Sequence, residues 1–282
     1  MDAAMYETLR ETALEIRCHT LESIGRLGVG HIGGSLSIVE VLALLYFRHM
    51  DVDPAEPRRR VRDQLVLSKG HAGPALYSTL ALRGFFPLSW LATLNEGGTR
   101  LPSHCDRRLT PGIDMSTGSL GQGISAAVGM ALGNRLDGID RRVYVIVGDG
   151  ECNEGQVWEA AQAAAHFRLN RLIGFTDCNK MQIDGYTKDI MGTEDLAAKW
   201  RAFGWTTRRV DGHDLSAVDA AIAAAREASS ADEGPPSMIV LDTVKGKGAD
   251  FAEGNLANHN MVFDLATARA AIARLRAEAA RT

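Results

Sequence analysis

Val143-Tyr144-Val145-Ile146-Val147-Gly148-Asp149-Gly150-Glu151 is the stretch that decides the fold. Its first five residues are β-branched or aromatic with no polar alternation, so it reads as a strand covered on both faces, as in a parallel sheet between helices. The run stops at Gly148-Asp149-Gly150, small and polar residues suited to a turn. Downstream the pattern alternates: helix over 157–167, strand over 172–176, helix over 196–203, strand over 206–210, Ala-rich helix over 215–228 and strand over 238–244. Upstream, Leu65-Val66-Leu67 reads as a short strand ending in Ser68-Lys69-Gly70-His71, and Thr117 to Gly123 opens an Ala/Gly/Met-rich helix reaching about Leu136. Strict alternation predicts an α/β fold with a doubly wound, mostly parallel sheet and helices on both faces.

Leu14, Leu21, Ile24 and Leu27 recur at helical spacing, and a second helical pattern follows from Ile38 to Phe47. The loop over 227–236 is too short for an interdomain linker, and no internal repeat is visible. The expectation is one domain over 1–282, with a helical N-terminal segment over 1–50 and a helical tail over 264–282.

Composition narrows the class. The 282 residues carry 31 Lys+Arg against 35 Asp+Glu, a formal net charge of −4, with 45% hydrophobic residues. That is enough chain to bury a core, and the near-balanced charge argues against a surface built for nucleic acid or anionic membrane. The longest apolar stretch, around 42–47, falls far short of the roughly 20 residues of a membrane-spanning helix. The opening residues mix Asp, Glu and Arg into an apolar pattern, so no secretory signal is expected. Cys18, Cys105, Cys152 and Cys178 form no C-x-x-C pair and read as reduced thiols of a cytoplasmic protein. The basic run Arg58, Arg59, Arg60 and Arg62 reads first as a solvated loop, with an anion-guiding rim at a cofactor entrance as the rival.

Gly28-Val29-Gly30-His31-Ile32-Gly33 matches G-x-G-x-x-G, with Asp53 twenty residues beyond. That dinucleotide fingerprint works only between a strand and a helix, and here a helical pattern precedes it. The stronger signal is Asp149 after one strand and Asn179 thirty residues later, after the next. Ligands of open α/β sheets bind at such carboxyl ends. A carboxylate and an amide are hard oxygen ligands, too few to cage a cation but suited to Mg²⁺ that also takes diphosphate oxygens and water. The plainer alternative is a strand-to-helix turn capped by Asp149.

G-D-G, about thirty residues, then N resembles the thiamine diphosphate motif. Gly30-His31, Ser68-Lys69-Gly70-His71, Thr117 to Gly123, Gly148 to Glu151, Asp211-Gly212-His213-Asp214 and Lys245-Gly246-Lys247-Gly248 occur in the order seen in transketolases. Over about 28–259 the chain resembles the thiamine-diphosphate-binding half of a transketolase, encoded as a separate N-terminal subunit. The resemblance implies two-carbon ketol transfer from a ketose, a sugar or sugar phosphate, to an aldehyde-type acceptor. It implies thiamine diphosphate and Mg²⁺ as cofactors. It also implies a partner, the C-terminal transketolase subunit, which supplies the pyrimidine domain and the activating Glu in an α₂β₂ assembly.

Residue by residue, the resemblance makes Asp149, Asn179 and the backbone carbonyl of Met181 the Mg²⁺ ligands. Gly150 and the adjoining Glu151 belong to the cofactor-binding turn, with Gly150 at the diphosphate. Gly118, Ser119 and Leu120 line the cofactor rings, and His71, Lys245 and His259 face the cofactor near its diphosphate. His31 and His104 face the substrate oxygens, where imidazoles relay protons or stabilise charge. His71, His259 and Glu154 complete the expected catalytic set, Glu154 near the subunit contact. Pro102-Ser103-His104-Cys105 departs from the family's G-H-P, and Asn260 to Phe263 from its Gly-rich continuation; both border the expected substrate channel. Two alternatives stay open: a subunit resembling 1-deoxyxylulose-5-phosphate synthase, and a non-catalytic assembly module.

Overall fold

The computed structural model describes residues 1–183 and 185–281. Five strands form a parallel sheet: β1 (Gln64–Leu67), β2 (Val143–Gly148), β3 (Leu172–Cys178), β4 (Thr206–Asp211) and β5 (Ser237–Asp242). Their order is β1-β2-β3-β5-β4. In register, Val143 lies opposite Leu172 and Gly148 opposite Asp177, so β2 and β3 end side by side.

The α-helices of five or more residues are α1 (Ala3–Leu27), α2 (Ile32–Leu36), α3 (Val39–Leu44), α4 (Gly73–Arg83), α5 (Gln122–Leu136), α6 (Gly155–His166), α7 (Leu196–Ala202), α8 (Leu215–Ala228) and α9 (Leu265–Ala279). Side chains of one strand point alternately to opposite faces. Tyr144, Ile146, Ile173, Phe175, Ile239 and Leu241 therefore pack in one core with Ile16 of α1, Leu42 of α3, Leu76 of α4 and Ile222 of α8. Val143, Val145, Val147, Leu172, Met238 and Val240 face the other core, with Ile124 of α5, Val157 of α6 and Trp200 of α7. The unbroken apolar run of β2 is explained by this: each of its faces is roofed by helices.

Local chemistry sets the helix ends. Asp214 caps α8 by accepting from the amides of Ser216 and Ala217, and Asp264 caps α9 through Thr267 N at 2.8 Å. Gly28 ends α1 at φ +90°. The helix expected from Thr117 begins only at Gln122, because Gly121 holds φ +84° just before it. The expected strand over 238–244 stops at Asp242, because Val244 N turns away to donate to His213 Nε2 at 2.9 Å. The helical pattern over 38–47 holds as α3 and then widens to a π-turn at Leu45–His49. Of the expected tail over 264–282, α9 covers Leu265–Ala279, and Thr282 lies outside the described residues.

One short antiparallel pairing matters for the site. Gly30 lies opposite Met261, which brings the chain after α1 against the chain before α9. No described helix is long and apolar enough to cross a membrane.

Candidate active site

The carboxyl ends of β1, β2, β3 and β5 deliver Lys69, Asp149, Asn179 and Lys245 to one end of the sheet. Asp177, near the end of β3, is fully buried and organises them. Its Oδ2 accepts from Lys69 Nζ (2.6 Å), Ser37 Oγ (2.6 Å) and Asn179 Nδ2 (2.8 Å), and its Oδ1 from Thr243 Oγ1. Burial alone would raise this carboxyl's pKa, but the Lys69 charge and these bonds hold it lowered. Lys69 also donates to the carbonyl of Gly34 at 2.7 Å, tying α2 to the sheet.

Asp149 is buried at the tip of β2. Its Oδ1 accepts from Gly150 N (2.8 Å) and its Oδ2 from Lys180 N (2.6 Å). Lys180 sits at φ +66°, and this left-handed turn aims its amide at Asp149. Burial, then the neighbouring Asp177 charge, push the Asp149 carboxyl up to about 7 despite those two bonds. Among the described residues no cationic side chain pairs with it. Asn179 Oδ1 accepts from Met181 N at 3.1 Å, which sets the amide oxygen on the same turn.

Glu151 points elsewhere. Its Oε1 accepts from Ser68 Oγ (2.5 Å) and Gly121 N (2.9 Å), and its Oε2 from Gly148 N (2.9 Å). Burial raises its pKa, while these bonds oppose the rise. The side chain fastens three loops together.

Four histidines from four segments meet nearby. His31 lies with its ring centre 5.4 Å from each of His71, His104 and His259, and His71 and His259 are 4.9 Å apart. Burial is the first cause lowering all four pKa values, to about 4 for His31 and His259. All four imidazoles are therefore neutral at pH 7. Lys245, 2% exposed, has Nζ 3.5 Å from His259 Nδ1. Burial, then the Lys69 charge, lower its pKa to about 8, and no described carboxylate forms an ion pair with it. Gly118 carries the same assembly toward the surface: a Cβ there would stand 3.1 Å from the His104 ring. Beside them opens a cleft of about 780 Å³ lined by His104, Thr117, Gly118, Ser119 and Gln122. Leu120, partly buried, occupies the turn between Ser119 and Gly121.

Thus His31, His71, His104, His259 and Lys245 converge, and Asp149, Gly150, Asn179 and Met181 form the adjoining strand-end turn. Glu154 stands apart, exposed at the N-cap of α6, with its Cβ 2.8 Å from where a Cβ on Gly121 would be. Sequence reasoning passed over Asp177, Ser37, Thr243 and Gln182. A carboxylate inside an otherwise apolar strand was the available signal for Asp177. The side-chain amide nitrogen of Gln182 is buried with no partner, and a Cβ on Gly150 would lie 3.0 Å from Gln182 Cβ.

These features fit a bound diphosphate and a hard cation. The buried Lys245 ammonium feels the Asp149 and Asp177 charges but forms no ion pair among the described residues, the Gln182 amide lacks an acceptor, and Gly34 leaves open a space that a Cβ would fill at 3.1 Å from His71 Nε2. Asp149 and Asn179 supply the hard oxygens.

The comparisons with known proteins give the family. The family described as transketolase, thiamine diphosphate binding domain, matches residues 9–278. The chain belongs to this family and is a transketolase-type enzyme chain. It is 58% identical over 272 residues to the 6-deoxy-6-sulfo-D-fructose transketolase subunit SqwG of a Clostridium species, covering 96% of this chain and 98% of the relative. It is 40% identical to one of the apulose-4-phosphate transketolase subunits of Actinobacillus succinogenes, covering 83% of each. A crystal structure of a Pichia stipitis transketolase mutant superposes with a TM-score of 0.86 at 31% identity, covering 94% of this chain and 40% of that one. The transketolase of Leishmania mexicana gives 0.84 at 29% identity, covering 96% and 45%. The chain thus spans less than half the length of these solved transketolases.

Proposed function

We propose that this chain is the cofactor-binding subunit of a two-subunit transketolase, moving a two-carbon ketol unit from a ketose to an aldehyde-type acceptor in the cytoplasm. The observation that carries the reading is Lys245: a buried ammonium without a carboxylate partner, between four neutral imidazoles and the Asp149–Asn179 strand ends. Thiamine diphosphate, when bound, supplies the carbon nucleophile and electron sink for breaking the bond beside a ketose carbonyl. Asp149, Asn179 and the Met181 carbonyl would hold Mg²⁺, with Gly150 admitting the diphosphate. Lys245 would neutralise that diphosphate, His71 and His259 would orient it as neutral hydrogen-bonding groups, and Gly118, Ser119 and Leu120 would line the rings. His31 and His104, neutral at working pH, would accept or return a proton at the substrate oxygens. Glu151 would act only by bracing the Ser68, Gly121 and Gly148 backbones. Glu154 would lie at the subunit contact.

The partner would be a C-terminal transketolase subunit carrying the pyrimidine domain and the activating Glu, in an α₂β₂ assembly. The names of the two relatives support a ketose donor with an anionic terminal group, sulfonate or phosphate. The test mixes this chain with such a partner, cofactor and Mg²⁺, and measures two-carbon transfer from 6-deoxy-6-sulfofructose, from apulose 4-phosphate and from pyruvate. The expected result is no turnover by the chain alone and turnover on mixing, with a ketose donor. Full turnover without partner would end the split-enzyme reading, preference for pyruvate would favour the 1-deoxyxylulose-5-phosphate synthase-like one, and cofactor binding without turnover the non-catalytic one.

A further inference from the structure

The arginine run over 58–62 gathers at the amino end of β1, away from the strand ends that hold Lys69, Asp149 and Asn179. There it lines a cavity of about 580 Å³ with Gln64, the first residue of β1. Four arginines of that run face it; Arg100, Arg107 and Arg108 enter from the loop over 95–114, and Arg141 from the approach to β2. Against these eight stands one lining carboxylate, Asp114, which is ion-paired with Arg62.

Most of this charge has nothing to neutralise it. Arg59 reaches Asp51 at 2.5 Å and Arg60 reaches Asp137 at 3.6 Å, both at the rim. Arg141 is spent on the Asn134 amide oxygen and the Arg60 carbonyl, not on a carboxylate. Arg100 lies over the Trp90 ring at 5.1 Å, and the guanidinium groups of Arg58, Arg107 and Arg108 have no ion pair among the described residues. Five arginines thus share a cavity without a carboxylate ion-paired to any of them among the described residues. Inside it, Arg62 is 9% exposed and its Nε is buried with no acceptor, as is Arg59 Nε. A buried donor left unpaired costs free energy, and in a cationic cavity an anionic oxygen supplies what it lacks.

We propose that this cavity is a binding site for a small molecule carrying two or more phosphoryl groups, separate from the cofactor site. Guanidinium forks match phosphate oxygens in pairs, and one phosphate would leave most of the five cations unneutralised. The volume suits a small ligand. It is a basin rather than a stripe, on a chain whose net charge is −4, which does not suit an extended nucleic acid. One loop serves both cavities: its residues 102–106 line the active-site cleft, and 107–114 line the basin. Thr117 N donates to Cys105 O and Arg107 N to Ser116 Oγ, pinning the loop between the two. Occupancy would steady the segment that carries His104.

Titration calorimetry on the full chain, without added metal, tests this with fructose 1,6-bisphosphate, ATP and inorganic phosphate. Saturable binding of the first two is expected, at least about tenfold tighter than inorganic phosphate. The double variant Arg107→Ala/Arg108→Ala removes two exposed, unpaired side chains and should weaken binding about tenfold or more with an unchanged unfolding curve. Lys245→Met, at the cofactor site, should leave the affinity within about twofold. Amide exchange over 107–114 should slow with ligand in the native chain and not in the double variant. The proposal is overturned if no saturable binding occurs, if phosphate binds as well as the bisphosphate, if the double variant binds normally, or if Lys245→Met abolishes binding. Tighter binding of a polyglutamate peptide than of ATP would also overturn it, in favour of an acidic protein partner.

Discussion

Lys69 Nζ lies 2.6 Å from Asp177 Oδ2, and the two side chains are 2% and 0% exposed. This buried pair joins β1 to β3 and, through Gly34 O, Ser37, Asn179 and Thr243, gathers the segments around the cofactor end of the sheet. Breaking a buried pair by removing one member leaves an uncompensated charge, which costs more than the pair itself contributes. Lys69→Met should therefore destabilise the fold by about 3–5 kcal/mol in urea unfolding. Lys69→Met/Asp177→Asn should recover part of that loss, and a double variant as unstable as the single one would show that packing, not charge, dominates here.

Asp149 should control cofactor loading. Its carboxyl is held up near 7 by burial and by Asp177, so a bound cation is what would favour its ionised form. Asp149→Ala should abolish saturable thiamine diphosphate binding in calorimetry with Mg²⁺ present, and a chelator should do the same to the native chain. Unchanged affinity in both experiments would remove Asp149 from the metal.

His104 should act on turnover rather than loading. With the partner present, His104→Ala should lower turnover by ~10²- to 10⁴-fold, the range for a lost acid/base group, and alter cofactor affinity little. A variant defective only in cofactor binding would move His104 to the diphosphate.

Gly118→Ala should reproduce part of that defect while leaving the imidazole in the chain. The new methyl would meet the His104 ring at 3.1 Å from a backbone held at φ +154°, so both the ring and the loop must shift, and turnover should fall by less than the ~10² expected of a full 1 Å misplacement. Turnover equal to the native chain would mean that the loop absorbs the methyl without moving His104.

Acid should loosen the histidine cluster. His31 and His259 titrate near 6.5 in the unfolded chain and near 4 when folded, so between those values the unfolded state binds more protons and stability falls as pH is lowered. Their contribution is present above pH 6.5 and lost progressively toward pH 4. Urea midpoints should drop across that window, and His31→Asn/His259→Asn should flatten the slope. An unaltered slope would assign the acid sensitivity to other groups.

The sheet was legible because its signals are local and strong. A five-residue run of β-branched and aromatic side chains has few uses other than a doubly covered strand, and the Ala-rich pattern from Leu215 to Ala228 carries its own 3.6-residue period. Strand ends were less legible, because tertiary hydrogen bonds set them: β5 stops where Val244 turns to His213, and α5 starts late because Gly121 is left-handed. The Arg58–Arg62 run had two readings from composition, and neither contained the basin, whose other arginines lie 38 or more residues further along the chain than Arg62.

The amino-acid sequence by itself determined the alternation of strand and helix, the polar turns at the strand tips and the motif order that marks the transketolase family. Only the tertiary structure decided that four imidazoles from four distant segments share one site, that Lys69 is spent on Asp177 while Lys245 is left without an ion pair among the described residues, and that Glu151 is consumed in holding loops. The physical reason is range. Periodicity and capping act within a few residues, whereas the pKa of a buried lysine or histidine depends on desolvation and on charges brought close by strand register, here Gly148 beside Asp177 and Gly30 beside Met261.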